Sequence, residues 1–145
     1  MNGKQDEDLS LQGTFVELPH TADRALAVEA ESLPALFAAA ARGMFHLMAD
    51  LEAIPPRQAR PVYVEGPDLE VLLVEWLNEL LYLHEAHQEL YSRFDVARLE
   101  DGVLEATARG APGVPTKAKI KAATYHDLSV RQDEGRWRAT IVFDV

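Results

Sequence analysis

The sequence predicts an α+β fold: a single layered domain with a mostly antiparallel or mixed β-sheet of about eight strands and two α-helices packed on it. Two stretches, 33–48 and 69–83, carry apolar residues at helical spacing. Most of the remaining chain is short runs of β-branched and aromatic residues bounded by Gly, Pro and Asp, and these runs follow one another directly after residue 90. A length of 145 residues, 48% of them hydrophobic, suits one domain with a packed core.

Residues 1–13 contain Asp6, Glu7 and Asp8 among polar neighbours and no apolar core of a signal peptide, so they read as a flexible acidic tail ahead of a domain spanning 14–145. Thr14 to Leu18 is the first strand. Pro19-His20-Thr21-Ala22-Asp23 interrupts it, and Arg24 to Ala30 resumes as the second. Ser32 is a helix N-cap whose hydroxyl can accept from a first-turn amide, and Pro34 is tolerated where no intrahelical bond is lost. Leu33, Leu36, Phe37, Ala40, Met44, Leu47 and Met48 then form a stripe, which reads as core packing. Ala49-Asp50 and Pro55-Pro56 end that element. Pro61 to Glu65 is a short strand.

Pro67 and Asp68 open the second helix. Its apolar face is Leu69, Leu72, Leu73, Trp76, Leu80 and Leu83, with Glu70, Glu75, Asn78, Glu79 and Glu85 off it. Strands follow near Tyr91–Leu99, Val103–Arg109, Lys119–Tyr125, Leu128–Arg131 and Trp137–Val142. Asp101-Gly102 and Glu134-Gly135 supply hairpin turns, and Ala111 to Pro115 is a Pro/Gly loop.

The formal charge is −10, from 24 acids and 14 bases. Tight grip on a nucleic-acid backbone needs a positive stripe, which this chain lacks, so direct RNA binding is not expected. An acidic surface suits a basic partner or a cation, and it also serves solubility. There is no cysteine, which excludes disulfides, thiol catalysis and thiolate metal sites. No stretch approaches the ~20 apolar residues that cross a membrane. The default compartment is the cytoplasm.

Three constellations could carry chemistry. In His20-Thr21-Ala22-Asp23, Asp23 is a candidate hard oxygen ligand and His20 a nitrogen ligand or hydrogen-bond partner; the same residues also suit a turn that bonds nearby amides. At the chain end the Asp144 side chain lies beside the Val145 carboxylate. Converging carboxylates repel one another unless a cation or base joins them, and an all-oxygen set suits Ca²⁺, Mg²⁺ or Mn²⁺. A solvated terminus is the plainer alternative. In Lys119 to Asp127, alternation puts Lys119, Lys121 and Ala123 on one face, where a lysine could meet a phosphate or pair with the carboxylates, or simply guard a sheet edge. His84 and His87 are three apart near a helix end and fit a cap better than a metal pair, and His46 reads as a satisfied side chain. No phosphate loop, nucleophile elbow or zinc spacing is present, so the residues alone do not establish an enzyme.

Four segments together resemble the archease family: His20-Thr21-Ala22-Asp23; Leu72 to Leu83 (LLVEWLNELLYL); Ile120 to His126 (IKAATYH); and Val142-Phe143-Asp144-Val145. The likeness runs from Phe15 to the end. Two departures are visible. Pro19 stands where the family usually has an acid before the histidine, and Gly110 to Thr116 replaces an acidic, histidine-containing stretch. The resemblance implies an accessory protein, not an independent enzyme. Its partner would be an RtcB-type RNA ligase of tRNA splicing and RNA repair, which forms a covalent guanylate on its own histidine from GTP and a divalent metal. The accessory protein would promote that step and multiple turnover, meeting GTP and RNA only through the ligase. By the same likeness Asp23, Asp144 and Val145 would hold a divalent cation at one tip. Lys121 and Asp144 would carry the activation, and His20 and His126 would support the ligands. Two other readings stay open: a stand-alone metal-dependent hydrolase using the same carboxylates, and a chaperone-like acidic interaction module.

Overall fold

The computed structural model describes residues 13–19 and 23–145. Of the expected tail, residues 1–13, the first twelve lie outside the described residues, as do His20, Thr21 and Ala22, while Gly13 is described and buried. The elements run β1 (Thr14–Leu18), β2 (Arg24–Ala30), α1 (Leu33–Met48), a 3₁₀ turn (Leu51–Ala53), β3 (Gln58–Glu65), α2 (Leu69–His87), β4 (Glu89–Glu100), β5 (Val103–Pro112), β6 (Ala122–Ala123), β7 (Ser129–Asp133) and β8 (Arg136–Asp144). The α+β class holds, with two helices and eight strands among the described residues. The strands divide between two sheets, and every described pairing is antiparallel. One sheet has the order β1-β2-β8-β6, with β7 sharing the β8 edge that β6 occupies; the other is β3-β5-β4.

The reason for two sheets lies in α1. The sequence shows one stripe, but Leu36 to Ala41 are all buried, as are Gly43, Met44, Phe45, Leu47 and Met48. A helix apolar on most sides must be covered on most sides. It packs on β2 and β1 of the first sheet and on β4 of the second, so one core joins both. The run of alanines keeps the helix thin enough for that double approach. At Gly43 an added Cβ would come within 2.7 Å of Leu26 Cδ1 and 3.0 Å of Phe15 Cγ. The start is as expected: Ser32 Oγ accepts from the Ala35 amide at 3.2 Å.

α2 begins where Asp68 Oδ1 accepts from the Val71 amide at 2.9 Å, and it ends at Gln88 in a left-handed conformation, φ 55°. It packs on β3, β4 and β5, on α1, and on β6 and β7. Trp76, fully buried, donates its indole N–H to the Phe37 carbonyl at 2.9 Å, which ties α2 to α1.

The Asp101-Gly102 and Glu134-Gly135 turns join β4 to β5 and β7 to β8. Both residues of each have positive φ (53° and 73°; 52° and 78°), as a two-residue type I′ hairpin requires. Pro61 sits within β3, an edge strand, where a missing N–H leaves no ladder bond unmade.

The second sheet contains a buried charge that the sequence does not announce. Glu89 is 3% exposed. Arg60 donates to both its oxygens at 2.9 and 2.8 Å, and the Tyr91 hydroxyl donates to Oε1 at 2.9 Å. The bonds from Arg60 hold the Glu89 carboxyl below the ordinary glutamate range, against the opposing effect of burial. A carboxyl depressed in the folded state contributes stability above its unfolded value, about 4.3, and loses it as pH falls through the folded value. Glu89→Gln should therefore melt several degrees below the wild type at pH 7. That gap should close progressively below about pH 4, as read by thermal melts across pH. A gap independent of pH would assign the loss to packing and not to the ion pair.

One strand is much shorter than expected. The Lys119–Tyr125 segment forms a ladder only at Ala122–Ala123. Before it, the Lys117 and Ala118 amides donate to the Met48 carbonyl at 2.7 and 3.4 Å, tying the chain to the end of α1. After it, the chain turns at Asp127, φ 51°, and the Leu128 amide reaches the Tyr125 carbonyl at 3.3 Å. The expected face fails with the strand. Lys119 and Lys121 are exposed while Ala123 is buried, and Ile120 turns into the core. The expected Ala111–Pro115 loop also begins later, because β5 continues through Pro112, pairing with Glu89.

Candidate functional site

The first sheet brings the two ends of the domain together. β2 follows the His20–Asp23 segment, β8 ends the chain, and the two are neighbours, paired from Arg24↔Phe143 to Ala30↔Trp137. The ladder stops at the Arg24↔Phe143 pair, with Asp23 in a bend directly before Arg24 and Asp144 directly after Phe143. Asp23 and Asp144 thus flank the last pair of the β2–β8 ladder, at one end of the sheet. Asp23 is half-buried, whereas Asp144 is exposed and Val145 is 39% exposed.

Lys121 reaches the same end from the other edge of β8. Its amide donates to the Asp144 carbonyl at 2.8 Å, and the next residue, Ala122, pairs with Asp144. The Thr124 amide and hydroxyl both reach the Val142 carbonyl, at 3.0 and 2.9 Å. The backbone at Asp144 is thus held while the side chains of Asp144 and Lys121 face solvent. Three of the expected residues, Asp23, Asp144 and Lys121, therefore collect at one tip, on three adjacent segments.

The other candidates fall elsewhere or act locally. His126 is exposed, with Nε2 3.3 Å from its neighbour Asp127. His46 is exposed and rests against Phe15, ring centroids 5.4 Å apart. His84 lies 2.7 Å through Nδ1 from the Glu89 carbonyl, which can only accept, so Nδ1 carries the proton. Its ring also meets Phe45 edge-on. That leaves His84 tied to the chain just past its helix, in the cap-like role expected of it, while His87 is exposed.

Among the described residues, no group of three or more His, Asp or Glu side chains forms a cluster able to hold a metal ion. The tip supplies two aspartates there; a third oxygen group would be the Val145 carboxylate. Such a donor set would be all oxygen, which suits Ca²⁺, Mg²⁺ or Mn²⁺ and not zinc. A cleft of about 400 Å³ between α1 and β4 is lined by Arg42, Glu52, Arg93 and Asp95 among others, and by none of the tip residues.

Two supports of this tip escape a reading of the sequence. Arg24, next to Asp23, donates to both carboxylate oxygens of Glu17 at 2.9 Å and to the Leu47 carbonyl at 3.2 Å, pinning the start of β2 to β1 and to α1. Asn78 of α2 bonds Ala123 twice. The available signal for Asn78 was a lone amide on a helix whose other polar positions nearby, Glu75 and Glu79, are acids.

The Archease protein family model matches residues 15–145. The chain belongs to the archease family. The archease of Methanopyrus kandleri is 38% identical over 136 residues, 89% of this chain and 97% of that protein. The archease of Methanosarcina barkeri is 35% identical over 146 residues, covering 94% of this chain and all of the relative. The solution structure of protein 1598 of Methanobacterium thermoautotrophicum superposes with a TM-score of 0.77 at 28% identity, covering 90% of this chain and 98% of that one. A crystal structure from Thermotoga maritima, described as an archease and possible chaperone, shares the fold at a TM-score of 0.61 and 23% identity, over 88% and 94% of the two chains. In this archease no described helix is long and apolar enough to cross a membrane.

Proposed function

We propose that this archease activates an RtcB-type RNA ligase by promoting its GTP-dependent guanylylation and repeated turnover, through a carboxylate tip that binds a divalent cation. On this reading it is an accessory protein and not an enzyme in its own right. The observation that supports the reading is the pairing of Arg24 with Phe143, which brings the chain next to Asp23 and the chain next to Asp144 to one end of the sheet, where the Lys121 amide bonds the Asp144 carbonyl. If they converge at that end, the two carboxylates would repel one another unless a cation or a base joined them.

In the proposed complex the tip docks beside the ligase nucleotide pocket. Asp23, Asp144 and the Val145 carboxylate would hold the ion, with Lys121 orienting the carboxylates or contacting a phosphate. Bound there, a divalent cation would supply positive charge against that building on the triphosphate during nucleotidyl transfer. The ladder bonds of β8 hold the backbone that carries Asp144 before the partner arrives, so only side chains remain to be ordered there on docking. The net charge of −10 agrees with a protein that reaches RNA through a partner.

The test is single-turnover guanylylation of the cognate ligase by GTP, with and without this protein, titrating Mg²⁺, Mn²⁺ and Ca²⁺. Stimulation that saturates with the cation is expected. Adding one glycine after Val145 displaces the terminal carboxylate by about 3.5 Å and should weaken binding of the cation, measured by calorimetry, while the melting temperature stays unchanged. Stimulation that survives removal of both aspartates and falls steeply with salt would instead assign a chaperone-like acidic module.

A further inference from the structure

Asn78 lies on α2, 45 residues before the segment it grips. Its Oδ1 accepts from the Ala123 amide at 2.8 Å, and its Nδ2 donates to the Ala123 carbonyl at 3.2 Å. A primary amide offers the same donor and acceptor as a peptide group. The side chain therefore does for Ala123 what a neighbouring strand would do. Ala122 and Thr124 face β8, while Ala123 turns its N–H and C=O the other way, toward the helix. Ala123 is buried, so without Asn78 both groups would be left unsatisfied away from water.

The consequence concerns Lys121. Its segment is a two-residue strand, too short to hold its register by ladder bonds alone. From Thr116 to Lys121 the chain has no regular structure, and after Thr124 it turns again. Between these irregular stretches the segment is clamped from both sides, by β8 through the Asp144 and Val142 carbonyls and by α2 through Asn78. Asn78 itself is half-buried on a helix whose neighbours Leu77, Leu80 and Leu81 are buried, so the clamp is anchored in the core.

We propose that Asn78 is a positioning residue that sets Lys121 against Asp144 through the Ala123 backbone, so that the tip is organised from the core of the second helix. The inference rests on the activating role proposed for Lys121 and deepens it. Asn78 touches neither cation nor nucleotide; it acts through Lys121.

The experiment compares wild type with Asn78→Leu, Asn78→Asp, Lys121→Ala and the double variant Asn78→Leu/Lys121→Ala. Three readouts are taken: thermal melting, hydrogen exchange at the Ala123 amide, and GTP-dependent guanylylation of the cognate ligase across a range of concentrations of this protein. Asn78→Leu should speed exchange at Ala123 at least 10-fold and lower maximal stimulation about as far as Lys121→Ala does. The half-saturating concentration should stay within about twofold, because the docking surface is intact. Asn78→Asp keeps the acceptor for the Ala123 amide, so it should retain part of the protection and part of the stimulation. It also serves where the leucine variant fails to fold. The double variant should lose no more than Lys121→Ala alone, as expected of residues acting in series. If Lys121→Ala loses stimulation while folded Asn78 variants keep it, or if the double loss is additive, the positioning role is wrong and the proposed function stands. If Lys121→Ala stimulates like wild type, the activating role of Lys121 falls and the positioning role with it.

Discussion

Asp144→Ala is expected to abolish most stimulation of the ligase while leaving the fold untouched. Both halves of that expectation come from where the residue sits. Its backbone is held by the Lys121 amide and by pairing with Ala122, and neither bond involves the side chain. The carboxylate is exposed, so removing it leaves no cavity and no unpaired buried group, and the change in stability should stay within about 0.5 kcal/mol. The effect on a bound cation is of another size. Groups that merely support a metal ligand cost roughly 10- to 100-fold in affinity or activity when removed. With Asp144 as one of the few proposed oxygen ligands, its loss should therefore weaken cation binding by about 100-fold or more, and stimulation at a fixed cation concentration should fall with it. Calorimetric titration with Mn²⁺ and guanylylation assays read the two effects, and a melt confirms the unchanged fold. Asp23→Ala should behave alike. Full stimulation by both variants would remove the carboxylates from the mechanism.

Trp76→Ala should be the most damaging single change to the fold. The indole is fully buried in the core shared by α1, α2 and β4, with its ring edge-on to Phe94 at 6.0 Å. Truncating a buried aromatic of this size costs about 3–5 kcal/mol in lost burial and cavity. The indole N–H to Phe37 is lost as well, a bond that a retained aromatic such as phenylalanine would equally lack. For a chain of this length a deficit of that order lowers Tm by roughly 10–20 °C. Trp76→Phe should therefore recover most, but not all, of the loss. A melt of Trp76→Ala within a few degrees of wild type would mean that the two helices are not coupled through this side chain.

Much of the architecture was legible from local signals. The caps at Ser32 and Asp68 and the type I′ turns at Asp101-Gly102 and Glu134-Gly135 are written in residues that act within a few positions of themselves. The β6 segment was not legible in this way. Its alternation reads as a seven-residue strand over Lys119–Tyr125, yet only two residues pair, because Met48 and the turn at Asp127 take the chain on either side. Nothing in the residues around Glu89 marks it as a buried charge. Burial with Arg60 and Tyr91 depends on partners brought from β3 and β4. The same holds for Asn78, which the helical pattern placed simply off the apolar face.

By itself the sequence determined the class of the fold, because periodicity, capping and turn chemistry are local properties, while the family was legible only through the likeness of four whole segments to the archeases. Only the tertiary structure decided that β2 and β8 are neighbours, that α1 is covered by two sheets, and that Asn78 completes the edge at Ala123. Pairing between distant segments is chosen by which combination buries the most apolar surface with every backbone polar group satisfied, and no stretch of sequence carries that information alone.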